Sequence, residues 1–499
     1  MSNLSELLPS GGGQNLVEFV ASGTLPNGKP VILNSNGTVT VVAETSTTVT
    51  ESIPAGSDVI FNNSYTDYVV TAFDQKTAGQ FIAVYRDAGN NDYGSATVGT
   101  ISGTSITFGA EYVFATFNAV YMDVAFDPNT AGKFVIACTN SSSGHTGSST
   151  AGTISGTAIT YGTSVLFHSL RTYFPTIAFD PSTVGKFVIS YKDDSNNDNG
   201  TAVVGTISGT TLTYGSEYIF NTGDTIDIAM AFDPNTAGQF VVVYRDGGNV
   251  SKGMAVVGTV TGSTISFGSD AQILGVQMYY LSIAFDPTTA NKFILAYEDT
   301  SNSNVGKAVI GTVSGTSISY GTPATFSSSN TNNYISLTVD PNTANKFAVA
   351  YQDVSNSSYG TVCIGTVSGT SITFGSETVV DSVISNYVSA AFDPNTAGKF
   401  VVAYSKNNQK GKAIACQMGT VVVTTNLTAT NLIGITSEAT SSGGTAKINT
   451  WGGINEAQTS LTIASDYYAQ TNGTITTATA GQKVGTAISA TTINMKDLT

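Results

Sequence analysis

The stretch Ala284-Phe-Asp-Pro-Thr-Thr-Ala-Asn-Lys-Phe293 decides the fold, because variants of it occur seven times along the chain. Each copy carries an aspartate at the same place, 53 or 54 residues after the previous one: Asp74, Asp127, Asp180, Asp233, Asp286, Asp340 and Asp393. Copies as regular as these cannot each bury a core alone, so neighbouring copies must supply one another's buried surface. The sequence therefore predicts a repeat architecture, but it does not name a ligand.

Within one copy, the sequence predicts antiparallel strands joined by tight turns. The predicted strands of the fifth copy are Tyr280–Asp286, Phe293–Tyr297, Lys307–Val313 and Ser317–Tyr320. The turn between the first two strands begins with Asp286 and Pro287, which suit the first two turn positions. Four strands in about 53 residues are the size of a propeller blade.

The first strand of each copy alternates small and bulky side chains. Its small residues are Ala125, Ala178, Ala231, Ala284 and Ala391, and its bulky residues are Phe126, Phe179, Phe232, Phe285 and Phe392. This alternation predicts that the small face of one copy packs against the bulky face of the next.

The chain ends favour closure of the repeats into a ring. The last copy lacks a clear fourth strand, whereas the segment Ala55–Phe61 before the first copy matches Gly215–Phe220, the end of a full copy. An N-terminal strand that completed the last copy would remove exposed sheet edges. We therefore predict an all-β chain with a seven-bladed β-propeller over residues 46–420, each blade having four antiparallel strands.

Residues 1–45 and 421–499 do not match the repeat. The segment Gly28–Val42 is typical of a hairpin with an Asn-Gly turn. Strand-like runs in the tail are Asn431–Ile435, Thr445–Asn449, Ser460–Ile463 and Tyr467–Gln470. Because a closed ring brings its entry and exit together, we expect both ends to form one small β domain.

Both ends carry a resemblance. The opening Glu6-Leu-Leu-Pro-Ser-Gly-Gly-Gly-Gln-Asn-Leu-Val-Glu-Phe19 and the run Val31–Val39 resemble the starts of tailed-bacteriophage virion proteins, especially those of marine cyanophages. In the tail, Gly452–Gln458 and Gly485–Ala490 are similar to the ends of the same proteins. The resemblance covers roughly a quarter of the chain. It implies a virion component, often a tail fibre protein, whose two ends frame a variable insert.

Composition excludes several partner classes. Charged residues are 11% of the chain, well below the roughly 25% of ordinary soluble domains. The net charge of −15 makes a nucleic-acid backbone a poor partner. No apolar run approaches a membrane span, so no membrane insertion is expected. Met1–Pro9 lacks a basic start and an apolar run, so we expect no signal peptide and synthesis in the host cytoplasm.

The turns of the repeat divide into a constant set and a variable set. The Asp-Pro and Ser-Gly-Thr turns recur in each copy, whereas the loops between strands two and three differ freely, as in Arg86–Gly94, Thr139–His145 and Arg245–Gly253. In a propeller the variable loops share one face. Loops released from the repeat pattern are where binding residues can differ, so this face is the candidate recognition surface.

Six residues before each repeat aspartate stands a residue expected at the channel mouth on that face. These candidate ligand-binding residues are Tyr68, Tyr121, Phe174, Asp227, Tyr280, Tyr334 and Tyr387. Aromatic faces beside polar loops can stack on sugar rings or anchor a protein partner. The alternative is that these side chains only cap the packing between blades.

No catalytic, metal or cofactor site is predicted. The repeat aspartates are expected to form turns, and Asp87, Asp193, Asp246, Asp299 and Asp353 are expected to order loops. Asp194-x-Asn196-x-Asp198 only partly matches a calcium loop, since Gly200 comes one residue late and no downstream glutamate follows. The two histidines, His145 and His168, lack a nucleophile partner, and we expect both to be solvent-exposed loop residues. The three cysteines are expected to be buried apolar residues.

Three functions remain open from the sequence. The first is a non-enzymatic virion surface protein, attached to other virion proteins by its end-formed domain, whose propeller binds a host receptor or glycan. The second is a structural or decoration protein that binds other virion subunits. The third is a tail-associated enzyme that degrades polysaccharide. Tail proteins commonly assemble as multimers, so a homo-oligomer is expected.

Overall fold

The computed structural model describes residues 15–49, 52–328, 332–407 and 409–495, and these residues are mostly β-strand. Their helical elements are the short 3-10 turns Gly247–Asn249, Thr300–Asn302 and Val354–Asn356. No helix among the described residues could cross a membrane. Met1–Pro9, expected not to be a signal peptide, lies outside the described residues. The chain divides into two compact units, Thr50–Thr420 and Met1–Val49 with Val421–Thr499.

Each copy of the repeat contributes strands to the first unit. The strands that end before the repeat aspartates are Thr66–Phe73, Ser105–Phe126, Val165–Phe179, Thr225–Phe232, Ala271–Phe285, Asn332–Val339 and Thr378–Phe392. The second strands are Gln80–Asp87, Lys133–Asn140, Lys186–Asp193, Gln239–Asp246, Lys292–Asp299, Lys346–Asp353 and Lys399–Lys406. The third strands are Tyr93–Ser102, Thr146–Ser155, Asn199–Ser208, Lys252–Thr261, Val305–Ser314, Tyr359–Ser368 and Lys410–Gln417. Separate outer strands are Val59–Asn62, Ala158–Tyr161, Thr211–Asn221, Thr264–Phe267, Ser317–Tyr320, Ala324–Ser327 and Ser371–Phe374.

Neighbouring strands of a copy pair antiparallel, as predicted. In the fifth copy Ile283 lies opposite Leu295, Lys292 opposite Thr312, and Gly311 opposite Tyr320. Some strands, such as Ser105–Phe126, run from the outer strand of one copy into the first strand of the next. The copies therefore join into sheets of eleven, nine and eight strands, rather than standing as separate four-stranded blades.

The first and last copies contact each other. The early strand Val59–Asn62 pairs antiparallel with Lys410–Gln417, with Ile60 opposite Lys412. The Ser405 hydroxyl donates to the Thr66 carbonyl oxygen at 2.5 Å, and the Thr71 N–H donates to Ser389 Oγ at 3.0 Å. The second of these bonds has counterparts between other neighbouring first strands, such as Leu337 N–H to Ser282 Oγ at 2.9 Å. The contact between the end copies thus repeats the contact within the array.

The core is built from pairs of adjacent copies. Ala125 shares a buried cluster with Phe179, and Ala178 shares one with Phe232. Ala391 of the last copy shares a cluster with Phe73 of the first. Each cluster combines the small position of one copy with the bulky position of the next, so no copy completes its core alone. The three cysteines are also buried in these clusters or strands, without a disulfide.

Glycine on the third strand makes room for a phenylalanine on the second. The ring of Phe293 lies over Gly311, where an added Cβ would stand 2.0 Å from the ring. The same clash would arise where Phe81 covers Gly99 and Phe240 covers Gly258. Glycine normally weakens a strand, but here it lets a buried aromatic ring lie flat on the backbone.

Three of the repeat aspartates join one copy to the next as well as shaping their own turns. Asp340 Oδ1 accepts the Asn342 N–H at 2.9 Å, within its own turn. Its Oδ2 accepts the Gly398 N–H of the next copy at 2.7 Å. Gly398 has a φ of 70°, a left-handed conformation that aims its N–H at the neighbouring carboxylate and favours glycine. Asp74 and Asp233 make the same paired bonds, to Gly132 and Asn291.

One histidine expectation is wrong. His168 lies on the strand Val165–Phe179 and is 8% exposed, rather than being a solvent-exposed loop residue. Its Nδ1 lies 2.7 Å from Glu217 Oε1, and its Nε2 lies 3.3 Å from Asp193 Oδ1. Burial lowers the pKa of the imidazole, but hydrogen bonds to Glu217 and the two carboxylate charges outweigh it and raise the pKa above its usual value. The other histidine, His145, is half-buried in a loop.

The second unit combines both chain ends in one sheet. The strand order is Leu16–Val20, Thr445–Asn449, Leu432–Thr436, Pro30–Leu33 and Val39–Val41. The last two strands form the predicted hairpin, with Gly37 at a φ of 81° in its turn. Glu44–Val49 pairs with Thr420–Thr425, and a further sheet contains Ile454–Asn455, Asp466–Ala469, Ile475–Thr476, Gln482–Ala487 and Ile493–Asn494. The run Ser460–Ile463 is not a strand, so that expectation is wrong.

The paired bonds of the repeat aspartates predict unequal effects of alanine substitution. Asp340→Ala removes two hydrogen bonds, one to Asn342 in the same turn and one to Gly398 in the next copy. Asp127→Ala removes only the bond to Asn129, because Asp127 Oδ2 has no hydrogen-bond partner within the described residues. Since a hydrogen bond to a charged group contributes about 1.5–3 kcal/mol, we expect Asp340→Ala to cost that much more stability than Asp127→Ala. Urea and thermal unfolding of the two variants measure the difference. Equal losses would contradict a stabilising role for the bond between copies.

The surroundings of His168 predict a pH-dependent contribution to stability. Because the pKa of His168 is raised on folding, its stabilisation is complete below the unfolded pKa of about 6.5 and disappears as the pH rises through the folded pKa. We expect His168→Asn to cost more stability at pH 5.5 than at pH 9. Unfolding at both pH values checks this, with His145→Asn as the control. A cost that is the same at both pH values would contradict the ion pairing.

Candidate functional site

The variable loops and the strand entries meet at one edge of the repeat unit. The Thr172 N–H donates to the His145 carbonyl oxygen at 2.8 Å, and the Thr225 N–H donates to that of Asp198 at 3.1 Å. Each bond joins the loop after a second strand to the entry of the next first strand. The constant turns are joined in the same way, as where the Val260 N–H donates to the Gly238 carbonyl oxygen at 2.8 Å. The constant and variable turns therefore lie at opposite ends of the strands.

The seven residues predicted for this edge share one unusual backbone conformation. Their φ angles lie between 49° and 53° in every copy: Tyr68, Tyr121, Phe174, Asp227, Tyr280, Tyr334 and Tyr387. We call these seven residues the mouth. A register shift accompanies each of them, as between Tyr279 and Ser282 opposite the second strand. The left-handed region is uncommon for bulky side chains and costs roughly 1–2 kcal/mol per residue.

The aromatic residues of the mouth contact one another in sequence. Measured between ring centroids, the distances are 4.8 Å for Tyr121–Phe174, 5.5 Å for Tyr68–Tyr121, 5.1 Å for Tyr68–Tyr387, 4.9 Å for Tyr334–Tyr387 and 6.0 Å for Tyr280–Tyr334. We call these six residues the aromatic arc. All six are half-buried. The arc therefore runs without a break from Phe174 through the first and last copies to Tyr280.

Asp227 occupies the interval between the two ends of the arc. Its Oδ2 accepts from Arg245 Nε at 3.1 Å, and its carboxylate also accepts the Tyr280 N–H. The Arg245 guanidinium lies over the Tyr279 ring, 4.1 Å from its centroid. Burial raises the pKa of Asp227, although Arg245 and the Tyr280 N–H oppose this shift. We call Asp227 and Arg245 the notch.

A second carboxylate–guanidinium pair adjoins the arc in the first copy. Asp67 accepts from Arg86 through both carboxylate oxygens, at 2.6 and 2.5 Å, and the Arg86 guanidinium lies 5.2 Å from the Tyr68 centroid. Between the sixth and seventh copies, Asn333 donates to Gln352 at 3.1 Å and Gln352 donates to Asn386 at 2.7 Å. These polar residues were not predicted. For Arg86, Arg245 and Gln352 the signal was the last position but one of the second strand, where a polar residue follows the apolar run in each copy.

An exposed polar cluster lies beside the arc between the second and third copies. Tyr173 contacts Tyr121 at 5.9 Å between centroids and packs on His145 at 5.3 Å. Arg171 donates to the Tyr173 hydroxyl at 2.9 Å and pairs with Asp194 at 3.0 Å. The mouth is therefore bordered by different chemical groups in different copies.

Carboxylates in the variable loops order backbone and pair with cations. Asp87, Asp246 and Asp299 each accept the N–H two residues ahead, at 2.9, 3.0 and 3.1 Å. Asp194 pairs with Arg171, and Asp198 pairs with Lys192 at 3.1 Å, so both ends of the suspected calcium loop are next to a cation. The described part of the chain contains no cluster of three or more metal-ligating side chains.

One cavity of about 480 Å³ is lined by first strands from all seven copies near the constant turns. Its walls are mainly apolar, formed by alanines such as Ala178 and phenylalanines such as Phe232. Prolines of the Asp-Pro turns also line it, with Gln75 in the corresponding position of the first copy. The cavity lacks the polar residues found at the mouth.

Comparisons with known proteins support only the fold. Searches of family models and of curated protein sequences found no match. Among solved structures, the chain is similar to the BP39L lectin from Burkholderia pseudomallei, with 10% identity, a TM-score of 0.54, and coverage of 72% of this chain and 98% of the lectin. Sqt1 from Saccharomyces cerevisiae has 11% identity, a TM-score of 0.45, and coverage of 80% and 99%. NanB sialidase from Streptococcus pneumoniae has 9% identity, a TM-score of 0.41, and coverage of 74% and 70%. At these identities the likeness to the lectin shows a propeller-like all-β fold and no more.

Proposed function

We propose that Thr50–Thr420 is a seven-bladed β-propeller whose variable edge recognises a binding partner without catalysing a reaction. Closure is supported by the pairing of Val59–Asn62 with Lys410–Gln417 and by the contact of Tyr68 with Tyr387. It is supported further by the cavity that first strands from all seven copies line. A closed ring leaves its loops free for recognition, because the sheets carry the stability.

The observation that carries this proposal is the repeated strain at the mouth. Six aromatic side chains stand in a left-handed conformation that glycine or asparagine would adopt at lower cost. Each ring nevertheless stays half-buried rather than fully buried, so packing accounts for only part of the stabilisation that offsets the strain. Strained residues concentrate at ligand-binding sites, which favours recognition over packing alone.

We further propose that the protein lies on the surface of a bacteriophage particle, most simply in a tail fibre or another tail-associated structure. The resemblance of both chain ends to virion proteins supports this location. In this proposal the end-formed β unit attaches to other virion proteins, copies of the chain assemble as a homo-oligomer, and the variable edge of the propeller contacts a host receptor or glycan. A decoration protein that binds virion subunits through the same edge is the alternative.

An enzyme is the less favoured function. Asp227 at the mouth and Asp67 beside it are each held by a guanidinium, and Glu298 near Tyr280 is buried. A hydrolase instead needs one carboxyl group free to give a proton and one to act as base or nucleophile. Release of reducing sugar from host polysaccharide by the purified protein would support the enzymatic function instead.

Removing three rings of the arc should abolish recognition without unfolding the chain. Tyr280, Tyr334 and Tyr387 are replaced together by asparagine, which tolerates positive φ. In a competition assay for phage adsorption, we expect the intact chain to inhibit and the triple variant to be at least tenfold weaker. The control is Val184→Asn, which changes an exposed residue beside a constant turn. A folded triple variant that inhibits normally would refute recognition by the arc.

The virion location has its own test. Immunogold labelling of purified phage should place the chain at tail fibres or the baseplate periphery. Label on the capsid or tail tube would favour the decoration protein instead. Particles without label would remove the virion assignment.

A further inference from the structure

We propose that the mouth binds a neutral carbohydrate, one per chain, and that the notch of Asp227 and Arg245 fixes its orientation. This inference rests on the proposed recognition function and names the chemistry of its ligand. It follows from three properties of the mouth: its stacking surface, its charge balance and its single interruption.

The aromatic arc offers the stacking surface. Aromatic faces pack well against the C–H faces of sugar rings, and the polar edge of tyrosine can bond to hydroxyl groups. Burial raises the pKa of Tyr68 and Tyr280 to about 12, so these phenols remain protonated at neutral pH. Each phenol can therefore donate as well as accept a hydrogen bond, which matches the dual character of sugar hydroxyls.

The charges that adjoin the arc disfavour an ionic ligand. Two carboxylates that adjoin the arc are paired with guanidinium groups, Asp67 with Arg86 and Asp227 with Arg245. A third, Glu298, lies near Tyr280 but is only 4% exposed, so it offers a ligand little accessible charge. Each guanidinium also lies over a tyrosine ring, so one cation–π position on Tyr68, in the arc, and one on Tyr279, beside the arc, are already filled. A cationic ligand would approach arginines, and an anionic ligand would approach carboxylates in a chain of net charge −15. A neutral polyol avoids both penalties.

The amides beside the arc match the same ligand. Asn333, Gln352 and Asn386 form a hydrogen-bonded row next to Tyr334 and Tyr387. Amide side chains both donate and accept without carrying charge. The mouth thus combines stacking surfaces with neutral donors and acceptors, as recognition of an uncharged sugar requires.

The notch fixes the orientation of the bound carbohydrate. It replaces an aromatic ring in only one of the seven copies, so it gives the mouth a single distinct side. The Asp227 side chain is 24% exposed and the Arg245 side chain 13%, so the carboxylate remains within reach of a ligand. A carboxylate and a guanidinium side by side can accept from one hydroxyl and donate to its neighbour. One notch per chain predicts one ligand per chain, rather than one per copy.

The decisive variant is Asp227→Tyr, which gives the mouth an aromatic residue in all seven copies. Asp227→Tyr places at this position the residue that most other copies carry at the same φ, so the backbone tolerates it. The control is Val184→Asn, which changes an exposed residue beside a constant turn and leaves the whole mouth intact. Asp227→Asn is a second variant that keeps the shape and removes only the charge. Circular dichroism and thermal unfolding verify that all three fold.

Binding is measured on an array that carries neutral, uronic-acid, sulfated and amino-sugar oligosaccharides. Titration calorimetry with the best-bound soluble oligosaccharide then gives affinity and stoichiometry. We expect neutral oligosaccharides to bind at one per chain. Asp227→Tyr should weaken that binding at least tenfold and Asp227→Asn severalfold, whereas Val184→Asn should change it less than twofold.

Several outcomes would overturn the inference. The inference fails if only charged glycans bind, or if about seven ligands bind per chain. It also fails if Asp227→Tyr still binds neutral glycans with the original affinity, or if no glycan binds at all. If the intact chain still inhibits phage adsorption while no neutral glycan binds, the carbohydrate inference fails and the recognition function stands. If the chain neither inhibits adsorption nor binds a glycan, both fail.

Discussion

In three copies of the repeat, a buried carboxylate that bonds in two directions holds neighbouring copies together. Asp74, Asp233 and Asp340 each hold their own turn with one oxygen and reach the next copy with the other. The partner in the next copy is a residue with positive φ: Gly132, Asn291 or Gly398. Local turn geometry and the spacing between copies are therefore set by the same group. A change in one would displace the other.

The two ends of the strands therefore differ in how much their sequence varies between copies. At the constant end, the carboxylates and left-handed residues require nearly the same sequence in each copy. At the variable end, the left-handed backbone is kept but the side chains around it differ, as with Arg86, Gln352 and Arg245. The chain thus holds the mouth in a constant frame while its chemistry varies from copy to copy.

The periodic part of the fold was accessible from the sequence, because a 53-residue repeat records each strand several times. The antiparallel strands, the hairpin near Gly37 and the pairing of small with bulky first-strand positions could all be predicted. The long strands such as Ser105–Phe126 could not, since continuity between copies depends on how the chain turns in space. The burial of His168 could not be predicted, because its partners Glu217 and Asp193 lie on other strands and are distant in sequence.

For the mouth as well, one part of the structure could be predicted from the sequence and another part could not. Its seven residues follow from a fixed offset to the repeat aspartate, so the sequence could align them. The positive φ, the ring contacts and the guanidinium pairs could not be read from that offset, because they depend on the register shift within each first strand.

The strand Val59–Asn62 has a consequence for biosynthesis. It pairs with a strand near the end of the repeats, and its neighbour Asp58 bonds Lys412, 354 positions later. At a translation rate of about 5–20 residues per second, the ribosome needs roughly 20–70 s to make the partner. During that interval the early strand has no native partner, although the middle copies can already pack on one another. This pairing is therefore a late long-range step of folding, and the growing chain must keep one sheet edge from pairing with other molecules until it is complete.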